Sequence, residues 1–107
     1  MIAEAATPTL STGAGTAGNV LVSGTTNGTT GGVAETLTVQ AGTGTATFTG
    51  NVGNNANGTE LEALTITNAA ATTFSGTLDL ANALTQTNAA TGTTTFTQGD
   101  DILHLAF

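Results

Sequence analysis

From residue 37 onward the large apolar side chains recur on alternate positions. Leu37 and Val39 flank Thr38, Leu64 and Ile66 alternate with Thr65 and Thr67, Ala46 and Phe48 alternate with threonines, and Leu78 and Leu80 bracket Asp79. A period of two with β-branched residues between the apolar ones predicts strands that bury one face. No segment of ten or more residues carries a 3.6-residue period. The short cluster Ala69-Ala70-Ala71 favours helix by propensity but sits between two strand signals.

The same pattern repeats. Leu37-Thr38-Val39-Gln40, Leu64-Thr65-Ile66-Thr67 and Leu84-Thr85-Gln86-Thr87 open three copies. Thr47-Phe48-Thr49-Gly50, Thr73-Phe74-Ser75-Gly76 and Thr95-Phe96-Thr97-Gln98 close them. The copies fall near 36–62, 63–82 and 83–107, and Phe48, Phe74 and Phe96 share one slot. Their spacing is unequal, and much of the excess lies in Gly53-Asn54-Asn55-Ala56-Asn57-Gly58, which reads as an outward loop insertion.

One copy cannot bury its leucine and phenylalanine alone, so the repeat makes sense only when copies stack. Stacked parallel strands lie ~4.8 Å apart, and equal slots then pile into ladders. The expected fold is all-β: a short parallel β-solenoid of about three to four coils, with a two-layer β-sandwich as the alternative. Phe48, Phe74 and Phe96 should form a buried aromatic ladder, with Leu37, Leu64 and Leu84 beside it and Thr38, Thr65 and Thr85 facing out. Residues 1–35 read as an irregular N-terminal segment or a degenerate first coil. Within it Val20-Leu21-Val22 is a strand candidate, and Met1 to Thr9 are expected to be frayed or extended.

Composition narrows the function. The chain of 107 residues has no Lys or Arg and 7 Asp and Glu, for a net charge of −7. Nucleic-acid binding, which draws its affinity from cationic side chains on phosphates, is excluded as an expectation. Attachment to an anionic membrane surface fails for the same reason. No apolar run nears the ~20 residues that span a bilayer, so no membrane insertion is expected. Met1 to Thr9 show neither a basic nor an apolar stretch of the kind that opens a secretory signal. The chain therefore reads as a mature segment or as a protein exported by another route. With no cysteine there is neither a disulfide framework nor a thiolate metal site. Low charge and a mean hydropathy of +0.18 favour a folded chain over a solvated coil.

Candidate chemistry is sparse. His104 is the only histidine; Asp100 and Asp101 stand near it, yet no further ligand or nucleophile is positioned by spacing. Gly99-Asp100-Asp101-Ile102-Leu103 resembles half of a calcium-binding nonapeptide of the RTX type, a motif that requires consecutive copies. The sequons at Asn27 and Asn57 match chance expectation in a chain with 27 threonines and 9 asparagines. Glu60 and Glu62 alternate and are expected to face solvent, with no Trp or Tyr to build the platform of a carbohydrate hydrolase. The glycine runs lack the lysine and helix of a phosphate cradle. No catalytic, cofactor-binding or metal site is assigned, and the expectation is a protein that is not an enzyme and needs no cofactor.

The pattern Ala63-Leu64-Thr65-Ile66-Thr67-Asn68 followed by Thr73-Phe74-Ser75-Gly76 resembles Thr/Ala/Gly-rich β-solenoid repeats of bacterial surface proteins. Autotransporter passengers, filamentous-haemagglutinin-like exoproteins and S-layer proteins carry such repeats. The resemblance spans residues 33–103 and rests on composition and spacing. It implies an extracellular or cell-surface location and structural or adhesive duty. The alternating runs Thr43-x-Thr45-x-Thr47-x-Thr49 and Thr91-x-Thr93-x-Thr95-x-Thr97 resemble those of ice-binding (antifreeze) β-solenoids, a second reading that Ala69 and Ala71 interrupt. A virion or extracellular filament subunit is the third. The expected partners are identical subunits or neighbouring repeats of the same protein. Residues 102–107, the most apolar stretch, are expected to carry contacts in a homo-oligomer or filament.

Overall fold

A computed structural model describes residues 6–13, 18–29, 35–54, 58–86 and 92–97, and the backbone of 102–103. Nine strands are described: β1 (Thr9–Ser11), β2 (Val20–Val22), β3 (Thr36–Gln40), β4 (Thr45–Phe48), β5 (Leu61–Asn68), β6 (Ala71–Phe74), β7 (Leu78–Gln86), β8 (Thr93–Phe96) and β9 (Ile102–Leu103). No helix occurs among the described residues. The chain is all-β.

Successive strands never pair with each other. The odd strands form a five-stranded sheet in the order β1-β3-β5-β7-β9, and the even strands a four-stranded sheet in the order β2-β4-β6-β8. Every pairing is parallel. The chain thus lays down one strand in each sheet, then steps to the next level and repeats, so that each odd–even pair is one tier. Sandwiches of antiparallel hairpins pair neighbours in sequence, and this chain does not. β1 and β2, inside residues 1–35, join the sheets in register with β3 and β4.

Between the sheets lies a single apolar cluster assembled from ladders. Leu37, Leu64 and Leu84 are in register, and each is buried. Val39 pairs with Ile66, which in turn meets Gln86. On the even sheet Val22, Phe48, Phe74 and Phe96 occupy one column. The phenyl rings stack with centroids 5.1 and 5.3 Å apart and planes within 11° and 8° of parallel. That separation is close to the ~4.8 Å between strands, so the backbone ladder itself sets the aromatic overlap. Phe48 and Phe74 are fully buried. Phe96 is only partly buried, which corrects the expectation of three equally enclosed rings: no described strand lies beyond β8 to cover it.

A third, single-residue ladder was not read from the sequence. Thr26 bridges to Val52 and Val52 to Leu78, while Leu78 pairs with Ile102 of β9, all in parallel. Val52 and Leu78 of this ladder are buried in the core. Glycine makes the turns that feed it. A Cβ on Gly50 would strike the backbone carbonyl of Gly24, and one on Gly76 would lie 2.6 Å from the carbonyl oxygen of Gly50. Tiers this close leave no room for a side chain at Gly50 and Gly76, the corners after β4 and β6. Gly53, with φ of +72°, turns the chain away at the start of the loop insertion.

Candidate functional surface

Outward side chains of the even sheet also stack in columns. Thr47, Thr73 and Thr95 are in register, with Leu21 continuing the column at the N-terminal end. Alongside run Thr45, Ala71 and Thr93. A third column, Ser23, Thr49, Ser75 and Thr97, uses its hydroxyls internally: Thr49 Oγ1 donates to the Ser23 carbonyl at 3.1 Å and Thr97 Oγ1 to the Ser75 carbonyl at 3.2 Å. The threonine array of the sequence therefore exists as a surface. It is broken by Leu21 and Ala71, and part of its hydroxyl capacity is turned into the backbone. Ala69 is fully buried rather than standing in an outward column.

Outside the odd sheet, Thr38, Thr65 and Thr85 form the expected hydroxyl ladder, and Thr9 extends it by one residue. Beside it Ser11 Oγ donates to Gln40 Oε1 at 2.8 Å, and Gln40 Nε2 donates to Asn68 Oδ1 at 3.3 Å. At the corners, Asn19 Oδ1 accepts from the Thr45 N–H at 2.9 Å and Asn51 Oδ1 from the Thr77 N–H at 3.0 Å. The side-chain chemistry of this surface is spent largely on binding one tier to the next.

Two features inside the tiers escaped the sequence reading. Glu35 is fully buried, and Thr29 Oγ1 donates to its Oε1. Glu60, expected at the surface, has Oε2 buried without a hydrogen-bond partner. Glu62 is half-buried and accepts from Asn82 Nδ2 at 3.1 Å. Glu35 escaped notice because an isolated acid in a glycine-rich stretch reads as solvated loop; only the return of the chain over it, where the Glu62 N–H donates to the Glu35 carbonyl at 2.8 Å, encloses it.

Among the described residues no group of three or more His, Cys, Asp or Glu is gathered as metal ligands. Asp100, Asp101 and His104 lie outside the described residues, as does the association stretch 102–107 apart from the β9 backbone. No helix among the described residues is long and apolar enough to cross a membrane.

The two ends of the stack differ from its flanks. Both exposed large apolar side chains among the described residues, Leu10 at 39% and Leu21 at 65% exposure, sit on β1 and β2. The opposite end presents β8, with Phe96 partly uncovered and Thr94 Oγ1 donating across the core to Gln86 Oε1. The sequence matches no protein-family model, and comparison with curated proteins and with solved structures returns no match.

Proposed function

We propose that this chain is a slice of a parallel β-solenoid, with four tiers as its coils, serving as a structural or adhesive module of an exported cell-surface or filament-forming protein. The observation that carries the reading is the strict alternation of strands between two all-parallel sheets with equal slots in register. Such a scaffold gains its stability by repetition along one axis, and its length can grow without a new fold. Side chains that elsewhere build a cleft are here committed to inward ladders and to hydrogen bonds between tiers. The scarcity of charge and the abundance of short hydroxyl side chains suit a surface that packs against copies of itself or against broad polar surfaces.

Antiserum raised against the chain provides the test. Immunogold labelling of intact cells or of shed filaments supports the reading; labelling that appears only after the cells are lysed overturns the surface assignment. A second reading, ice binding, draws on one observation, the in-register column Thr47, Thr73 and Thr95 on the even sheet. Outward threonines there stand ~6.7 Å apart along a strand and ~4.8 Å between tiers. Thermal hysteresis of the purified chain, with its loss in Thr73→Lys, decides that reading; no hysteresis at millimolar concentration ends it.

A further inference from the structure

We propose that copies of this chain join head to tail, with β8 and β9 of one copy against β2 and Thr26 of the next, so that both sheets continue across the junction. The proposal rests on the stacked-tier reading above and specifies its partner and geometry.

The backbone supplies the first argument. In a parallel ladder the N–H and C=O of one residue address the same neighbouring strand, and alternate residues address opposite neighbours. The Thr49 N–H donates to the Val22 carbonyl at 3.0 Å, and the Thr97 N–H to the Phe74 carbonyl at 3.0 Å. Val22 and Phe74 therefore address the tier that follows them. By the same alternation Leu21 addresses the side of β2 away from β4, and Thr94 and Phe96 address the side of β8 away from β6. No described strand lies on either of those sides. An edge strand with open donors and acceptors is a template for another strand of the same polarity.

Side-chain matching supplies the second. At the junction Phe96 would meet Val22, Thr95 would meet Leu21, Thr85 would meet Thr9, and Ile102 would meet Thr26. Each combination already exists inside the chain: Val22 with Phe48, Leu21 with Thr47, Thr9 with Thr38, and Thr26 with the aliphatic Val52. Two residues meet new neighbours: Val20 meets Thr94, and Leu10 meets Gln86, whose amide oxygen is already occupied by Thr94. The join covers Leu10 and the open face of Phe96, and sets Thr95 beside Leu21. One end face has what the other lacks, so the contact is heterologous. A heterologous contact generated by translation along the stack does not close, and it yields an open filament that advances ~19 Å per four-tier copy.

Proline distinguishes this geometry from others, since it is tolerated on an edge where its missing N–H faces outward. Leu21→Pro blocks only the first end and Thr94→Pro only the last. By sedimentation velocity between 1 and 200 μM (the range being on the order of what separates weak from moderate association), the wild-type chain should form a broadening series whose mean mass rises several-fold with concentration. Each proline variant alone should be monomeric with an unchanged far-UV circular dichroism spectrum. Mixed in equal amounts, the two should yield a 1:1 dimer through their unblocked ends. A wild-type chain that stays monomeric across the range overturns the join, as does one that stops at a closed dimer or two folded variants that ignore each other. None of these outcomes touches the solenoid and surface reading, which the labelling experiment tests separately; should either variant fail to fold, the wild-type concentration series alone still decides.

Discussion

Phe74→Ala is the sharpest probe of the ladder, because Phe74 is the one ring stacked on both faces, against Phe48 at 5.1 Å and Phe96 at 5.3 Å. It is 1% exposed. Removing it forfeits burial of a large apolar side chain and leaves a cavity between tiers that the backbone ladder holds apart, a combination that costs about 3–5 kcal/mol for buried phenylalanine. Up to two aromatic contacts of about 0.5–1.5 kcal/mol each lie within that figure. A domain of this length has about 5–15 kcal/mol of total stability, so the variant should retain its fold with a sharply reduced margin. Equilibrium unfolding in guanidinium, followed by circular dichroism near 218 nm because the chain has no Trp or Tyr, should show a midpoint lower by roughly 1 M for a slope of ~4 kcal/mol/M. The paired variant Phe96→Ala loses one stack from a ring that is only partly buried, and should cost about half as much or less. An unchanged midpoint for Phe74→Ala would refute the ladder. A cost for Phe96→Ala equal to or above that for Phe74→Ala would refute the assignment of β8 to the open end.

Thr72 is fully buried with no partner for its Oγ1, so Thr72→Val removes an unpaired hydroxyl at nearly constant volume and should stabilise by about 1 kcal/mol, raising the melting temperature by roughly 4–8 °C. Gly50→Ala drives a methyl into the Gly24 carbonyl and should destabilise by about 1–3 kcal/mol in the same unfolding assay; Gly58→Ser, where a Cβ meets open space, serves as the contrast and should cost less, its remaining penalty being that of a φ of +66°. Asn51→Ala deprives the Thr77 N–H of its acceptor at 3.0 Å and should cost about 0.5–1.5 kcal/mol, with faster exchange of the Thr77 amide by NMR as the local readout.

Local pattern alone was enough to determine the strand slots of this protein. A half-buried strand imposes a period of two on its own residues, so Leu37, Val39, Ala46, Phe48, Leu64, Ile66, Phe74, Leu78, Leu80 and Leu84 declared their inward faces, and each is buried. The equivalence of Phe48, Phe74 and Phe96 was legible for the same reason, since stacked tiers demand the same residue type in the same slot. What only the tertiary structure decided has no local signature. The Thr26, Val52 and Leu78 ladder spends one residue per tier, too few to show a period. The register shifts between Val39 and Gln40 and between Leu61 and Ala63 let repeats of unequal length share one ladder, and no count along the chain locates them. Gly24, Gly50 and Gly76 read as ordinary turn residues until the tiers are set at their spacing, when they prove to be contacts between backbones. Glu35 reads as a solvated acid until a later segment closes over it. Each of these belongs to the approach of segments some 20 to 30 residues apart, and the energy of such an approach is written in the packing of both partners rather than in either one.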